Sequence, residues 1–396
     1  MAALARCVGD VEEFLAQSWS RAPRLQRNGD PGRFAGVFTV DDVDRFIATL
    51  PRLPEFRLVR DGKPLEPSSY TKTTKVGGKE VTGVGDPGRI YREFTAGATI
   101  VLQSLHRWNV AVGRFCRDLE LALTHPAQAN AYVTPPHERG LGVHHDTHDV
   151  LVLQLAGQKH WKVYDPVFED PLPAQTWSSG DEPGPPILDV VMEPGDCLYL
   201  PRGFPHAASS GDSVTAHLTI GLLVLTVQDV VRELLARTVD EPRFRRSLRA
   251  GFAGSDGEFA GDVAAVVADL IPLLERTNAE AVADRIAGRF WSTRPALLAG
   301  HLGQLLAVDG LGDRSKVRRR PGSICRLSSE PAPGGRLVID LGDRRLLLPA
   351  ALEPAVRRLS TGQTLAVADL AGELDHGSRL VLVRRLLTEG LLEVVD

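Results

Sequence analysis

Cysteine is scarce in this chain. The four residues Cys7, Cys116, Cys197 and Cys325 are scattered through 396 positions with no paired or CxxC spacing. That excludes a disulfide framework and a thiolate zinc site, and it suits a reducing cytoplasm. Long apolar runs are also lacking. No stretch reaches the length a membrane-spanning helix needs, and residues 1–30 are amphipathic and mixed in charge, with no signal-peptide core. Strong charge of one sign is missing too, and a net charge of −4 excludes a general attraction to nucleic acid or an anionic membrane. No internal repeat stands out.

What is present is the composition of an ordinary soluble globular protein, too long for one compact core, so two or three domains are expected. Residues 11–19 and 39–46 read as helices, the second capped by Thr39 with Asp41 and Asp42 in its first turn. Short strands with Gly/Asp turns fill 56–88, and a helix is expected over 108–123. Strands at 150–155, 160–164, 190–192, 197–200 and 214–223 suggest a small sandwich or barrel. The insert 172–186, rich in Pro, Gly and Ser, reads as a surface loop over the site mouth.

After residue 226 the pattern turns helical, over 227–237, 243–249, 261–274 and 279–290, with apolar spacings of three and four. A connector over 300–322 carries Arg314-Ser315-Lys316-Val317-Arg318-Arg319-Arg320, read as a solvated linker with an RNA or ribosome contact as the alternative. Strands at 336–341 and 344–348, helices at 350–359, 365–373 and 377–388 and a strand at 391–395 together suggest a winged-helix module. From Arg336 onward it holds nine acidic against eight basic residues, so direct DNA binding is not expected.

Eight of the eleven histidines lie between His125 and His217, which marks one segment for chemistry. Its densest stretch is Gly142-Val143-His144-His145-Asp146-Thr147-His148-Asp149, followed by the uncharged run 150–155. Such a stretch is either a metal site at a strand entrance or a polar turn before a buried strand. Residues i and i+2 of a strand share a face, so His144 and Asp146 present an imidazole and a carboxylate together. His145 and Asp149 take the opposite phase, where packing or solvent is expected, and His148 is at most a supporting position. A second histidine from a distant strand would complete the two-His-one-carboxylate set that leaves open positions on iron(II). The candidate is His206, at the end of Glu193-Pro194-Gly195-Asp196-Cys197-Leu198-Tyr199-Leu200-Pro201-Arg202-Gly203-Phe204-Pro205-His206, where prolines restrict the bend leading into it. Alone, His206 reads as a surface-loop histidine; with the His-x-Asp pair, it favours a metal.

Five segments follow one another in a telling order: Asn130-Ala131-Tyr132-Val133-Thr134-Pro135-Pro136, His144 to Val150, Gln154-Leu155-Ala156-Gly157-Gln158-Lys159-His160-Trp161, Pro194 to Gly203, and Ser213-Val214-Thr215-Ala216-His217-Leu218-Thr219. In these the chain resembles JmjC-type cupins of the ribosomal oxygenase family, densely over 90–225 and more loosely elsewhere. The resemblance implies an α+β protein. A double-stranded β-helix (cupin barrel) with an N-terminal extension would fill 1–225, a helical dimerisation region 226–312, and a winged-helix-like domain 323–396.

It also implies an iron(II)- and 2-oxoglutarate-dependent oxygenase. Such an enzyme would use O2 to hydroxylate a histidine or arginine side chain of a protein, typically a ribosomal one, and would work as a homodimer. By the resemblance His144, Asp146 and His206 hold the iron. Lys159 would pair with the distal carboxylate of 2-oxoglutarate, a task that suits its compact point charge; the local Gly157-Gln158 turn alone would make it a water-facing lysine. Asn130 and His217 are implied to line the cosubstrate pocket and Tyr132 to lie near the substrate. Their plainer readings are a turn cap, a core histidine and a core aromatic. Trp161 is assigned to packing. Some bacterial members carry arginine where this chain has Lys159, and lysine resembles the histidine-hydroxylating branch.

Two other readings stay open. One is the same iron chemistry on a peptide natural-product precursor or on N-methyl lysine. The other is a catalytically silent winged-helix regulator that keeps the barrel for dimerisation; the joint presence of His144, Asp146, His206 and Lys159 argues against it.

Overall fold

The uncharged run after the histidine cluster forms the strand Asp149–Ala156. Val150 and Val152 pack with one set of buried residues, while Leu151 and Leu153 pack with another on the opposite face. With both faces buried, no position along it can carry charge cheaply.

The computed structural model describes residues 1–177, 183–254, 258–327 and 334–395, and the chain divides into two units, Met1–Val224 and Leu225–Asp396. The first unit is built on an eight-stranded antiparallel sheet. Its strand order is Arg24–Gln26, Cys197–Leu200, Asp149–Ala156, Thr215–Leu222, Ala127–Thr134, Thr99–Leu102, Phe56–Arg60 and Lys63–Pro64. A smaller antiparallel sheet joins Pro186–Met192, Lys159–Tyr164 and His206–Ser210. Two isolated bridges, Arg139 to Ser209 and His144 to His206, extend it by a segment too irregular to be a strand.

The sheets face each other across Val150, Val152, Leu198 and Leu200 from the larger and Trp161, Val163 and Met192 from the smaller. The chain passes back and forth between them from Ala127 to Leu222, the cupin-type double-stranded β-helix that the family resemblance implies and a closer specification of the sandwich or barrel read from the strand spacing. Helices Ala2–Val8, Val40–Ala48 and Val110–Leu123 cover the outer face of the large sheet through Leu4, Cys7, Ile47, Phe115 and Leu119. The caps follow the sequence: Thr39 and Asp42 form a reciprocal capping box, and Asn109 accepts from the amide of Val112 at 3.0 Å.

The second unit contains helices Val227–Ala236, Glu258–Glu275 and Ala279–Ser292, then a small core around Val317, Ile339, Val356, Leu370 and Leu386. Three expectations change here. The helix at 243–249 is only a 3-10 turn, Pro242–Arg245, because four closely spaced arginines flank just two apolar residues, Phe244 and Leu248. The helix at 365–373 is a strand, Leu365–Ala366, followed by a 3-10 segment, Val367–Gly372.

The basic connector is ordered structure. Lys316–Arg319 is a strand paired with Leu392–Val395 and Leu365–Ala366, and it buries Val317. Arg320 is buried and donates to the carbonyls of Ala299 at 3.1 Å and Gly390 at 3.3 Å. Arg318 pairs with Glu393 at 2.7 Å. Much of this positive charge is therefore spent inside the unit. Among the described residues no helix is long and apolar enough to cross a membrane. Part of the insert 172–186, residues 178–182, lies outside the described residues.

Candidate metal centre

His144 and Asp146 sit just before the strand Asp149–Ala156, and His206 opens the strand His206–Ser210. The two segments are zipped together at that point. The amide of His206 donates to the carbonyl of His144 at 2.8 Å, the amide of His144 to that of His206 at 3.2 Å, and the amide of Gly203 to that of Asp146 at 2.9 Å. Gly203 has a φ of 86°, and a Cβ there would stand 2.8 Å from the carbonyl oxygen of Phe168. The bend into His206 thus depends on glycine as well as on the flanking prolines.

This zipper brings one donor atom each of His144, Asp146 and His206 within 4.8 Å of one another. Each imidazole is oriented by a backbone carbonyl: Nδ1 of His144 meets the oxygen of Gly142 at 2.8 Å, and Nδ1 of His206 that of Phe204 at 3.0 Å. A proton on each Nδ1 leaves both Nε2 lone pairs free, and Nε2 of His206 stands 4.0 Å from the Asp146 carboxylate. Burial, and then the neighbouring His144, push His206 down to about 4, with Asp146 opposing. A neutral imidazole at neutral pH is the form that binds a metal.

The rest of the cluster braces these three. Asp149 is buried and accepts from the Tyr199 hydroxyl and from the amide of Arg202 at 3.0 Å. His145 turns away as its phase predicts; it is buried, its Nε2 is 2.9 Å from the carbonyl of Gln175, and its ring lies edge-on to Phe168 and Trp177. The His148 ring packs against Gly221, where a Cβ would come within 2.7 Å of it.

The three side chains open onto a cavity of about 190 Å³ between the sheets. In its wall lies Lys159, 3% exposed. Strand alternation turns Lys159, Trp161 and Val163 inward together, which overrides the hairpin reading of the lysine. Its Nζ lies 3.4 Å from Oγ1 of Thr134 and 3.4 Å from Nδ1 of His217, and no carboxylate pairs with it among the described residues. Burial lowers Lys159 to about 7, and burial together with Lys159 holds His217 well below the usual histidine range. His217 stacks on Tyr132, ring centroids 4.9 Å apart, and both line the cavity.

Residues 107–230 match the JmjC domain family. The chain carries a JmjC domain. It is similar to ribosomal oxygenase 1 of Gallus gallus, 36% identical over 215 residues that cover 53% of this chain and 34% of that protein. It is also similar to the bifunctional lysine-specific demethylase and histidyl-hydroxylase NO66 of Culex quinquefasciatus, 30% identical over 210 residues, 50% of this chain and 30% of that one. The chain thus spans about a third of the length of these curated relatives. Among solved structures, the ribosomal oxygenase YcfD of Escherichia coli in complex with cobalt and 2-oxoglutarate aligns with a TM-score of 0.50 at 15% identity, over 98% of this chain and 99% of that one. That likeness speaks for the fold.

Within the JmjC domain the structure gathers His144, Asp146, His206, Lys159, His217 and Tyr132 around one cavity. Asn130 is not among the residues lining it. Its Oδ1 accepts from the amide of Ser104 at 2.9 Å, and its side chain lies beside the hydroxyl of the cavity-lining Tyr132. Trp161 does more than pack: it lines the cavity and tilts over His206 at 5.9 Å. Thr134 was missed although it shares the phase of Tyr132 in a quoted segment. Arg57, which also lines the cavity, had no local signal at all.

Proposed function

We propose that this chain is an iron(II)- and 2-oxoglutarate-dependent oxygenase that hydroxylates a side chain of a ribosomal protein. The observation that carries this reading is the joint geometry of two oriented imidazoles, one carboxylate and a buried lysine without a carboxylate partner in one cavity. The donor set suits iron(II): two nitrogens and one oxygen from a single corner leave positions open for other ligands. Bound there, iron(II) with 2-oxoglutarate and O2 would supply oxidation of a C–H bond coupled to release of succinate and carbon dioxide.

The chain's own residues set up the site. His144, Asp146 and His206 hold the metal, with the carbonyls of Gly142 and Phe204 fixing the rings. Lys159, with Thr134 and His217 beside it, receives the distal carboxylate of 2-oxoglutarate, whose charge favours the protonated lysine. Val101, Val152 and Trp161 make that part of the wall apolar and limit water. The names of the relatives, ribosomal oxygenase and histidyl-hydroxylase, and the cobalt and 2-oxoglutarate complex of YcfD support the same reading.

The finer assignments belong to the same proposal. The ribbon Arg336–Asp340 with Arg345–Pro349, beside helices Glu353–Ser360 and His376–Thr388, is read as a winged-helix-like domain. The helices over 227–290 are read as a homodimer surface, since Val227, Val231, Leu235, Val263 and Ile271 are exposed. Four unpaired thiols fit the cytoplasm.

N-methyl-lysine demethylation is the second reading, because the NO66 relative is named for it. The test is succinate formation from 2-oxoglutarate with iron(II), followed by mass spectrometry of ribosomal proteins from cells with and without this protein. A gain of one oxygen atom on a ribosomal protein is expected. Absence of succinate above an iron-free control refutes the enzyme, and release of formaldehyde selects the demethylase.

A further inference from the structure

Arg57 is the charged residue of the cavity to which the proposed chemistry gives no task. It comes from Phe56–Arg60, a strand outside the matched JmjC residues 107–230. Its place is set by strand pairing. Arg57 lies opposite Val101, Val101 opposite Tyr132, and Tyr132 opposite His217, so the four form one row across the large sheet. All four line the cavity, with Arg57 at one end of the row and His217, beside Lys159, at the other.

The surroundings of Arg57 are those of a binding group. Its guanidinium lies beside the Tyr132 hydroxyl, and no carboxylate pairs with it among the described residues. Its Nε–H is shielded from solvent yet has no hydrogen-bond partner among the described residues. A shielded donor left unmade is costly, and in native structures such a group calls for an explanation. Packing does not supply one. Arg60 and Arg202 also leave an Nε–H unmade, but each is held by a carboxylate, Glu93 at 2.7 Å and Asp170 at 2.8 Å, whereas Arg57 is held by none among the described residues.

We propose that Arg57 is a substrate-recognition residue. Its guanidinium donates to a hydrogen-bond acceptor on the side chain to be oxidised, and its charge turns lysine and arginine side chains away. This rests on the oxygenase reading above. In the loaded cavity, iron(II) and protonated Lys159 offset Asp146 and the two carboxylates of 2-oxoglutarate, so Arg57 is the charge left uncompensated. It stands near the apolar walls of Val59 and Val101, where charges act on one another more strongly than in water.

Lysine and arginine offer only donors, so they would meet both a repelling cation and an unsatisfied Nε–H. A neutral imidazole or carboxamide offers the acceptor that Arg57 lacks, with the Tyr132 hydroxyl as a second contact. The same logic counts against N-methyl lysine as the target.

The test uses full-length protein and ribosomal subunits purified from cells that lack it. Without oxygen, wild-type protein with iron(II) and 2-oxoglutarate is first checked for the visible charge-transfer band of the chelate. With oxygen, the modified ribosomal-protein residue is located by mass spectrometry, and kcat and KM are compared with Arg57→Gln and Arg57→Lys. The expected outcome is an oxygen atom on a histidine, asparagine or glutamine. Arg57→Gln should lose about tenfold to a hundredfold in kcat/KM, chiefly through KM, the size of a lost charge-assisted hydrogen bond.

Arg57→Lys keeps the charge but not the fork, and should lose less; it carries the comparison if Arg57→Gln does not fold. An oxygen on lysine or arginine, or folded variants within twofold of wild type, overturns the role of Arg57 while the oxygenase reading stands. No band, or a band with no ribosomal protein modified, overturns the underlying reading and this inference with it.

Discussion

The Nζ of Lys159 lies 3.4 Å from Nδ1 of His217, both of them buried in the cavity wall. Without a carboxylate nearby, the pair settles its charge by losing protons: burial lowers Lys159 to about 7 from its ordinary 10.5, and His217 falls well below its usual range. A ligand carboxylate would reverse that for the lysine.

Between about 7 and 10.5 the unfolded chain holds a proton on Lys159 that the ligand-free native protein has lost. Stability of the ligand-free protein from this group therefore rises with pH across that window. Binding of 2-oxoglutarate should take up a proton there, so its affinity should weaken as pH rises above about 7. Calorimetry in buffers of different ionisation enthalpy checks this. Identical heats in every buffer, or unchanged binding in Lys159→Met, would count against it.

Removal of one metal-holding side chain should abolish the site. His144→Ala or His206→Ala is expected to weaken iron(II) or cobalt(II) binding by roughly a hundredfold or more, with the fold kept. The check is thermal melting with and without metal, since a ligand that binds only the native state raises its melting temperature. A metal-induced rise equal to that of wild type in His144→Ala would sink the assignment.

Tyr199 holds the buried Asp149 that anchors the far end of the His144–Asp149 stretch. Tyr199→Phe keeps the ring and removes the donor, and should cost about 1–3 kcal/mol in urea denaturation. A change under about 0.5 kcal/mol, the level of an unremarkable surface substitution, would show that the hydroxyl does not brace this segment.

In the second unit, Arg320→Ala should destabilise by about 1–3 kcal/mol, because it strips the carbonyls of Ala299 and Gly390 of a buried donor. Arg314 is exposed, and Arg314→Ala should stay within about 0.5 kcal/mol. Equal effects would contradict the division of the basic cluster into structural and surface charges.

The exposed apolar residues over 227–290 should make the protein dimeric. Light scattering at micromolar concentration is expected to give twice the chain mass, and Val231→Glu with Leu235→Glu to give a monomer. A wild-type monomer refutes the dimer.

Local periodicity was enough for much of the chain. The capped helix after Thr39, the doubly buried strand after Asp149 and the shared face of His144 and Asp146 rest on spacings of two to four residues, which the sequence displays directly. It failed where a neighbour from elsewhere decides the outcome. Lys316–Arg319 looks like a charged linker until Leu392–Val395 pairs with it.

The His-x-Asp pair, the candidate His206 and the barrel-like run of strands were thus in the residues themselves, because side-chain phase is a property of a single strand. Three things were not: that His144 and His206 bridge each other, that Lys159 turns inward beside Thr134 and His217, and that Arg57 joins their cavity. Each depends on which strands lie side by side. Backbone pairing between distant segments sets that order, and the packing of both sheet faces selects it over the whole chain.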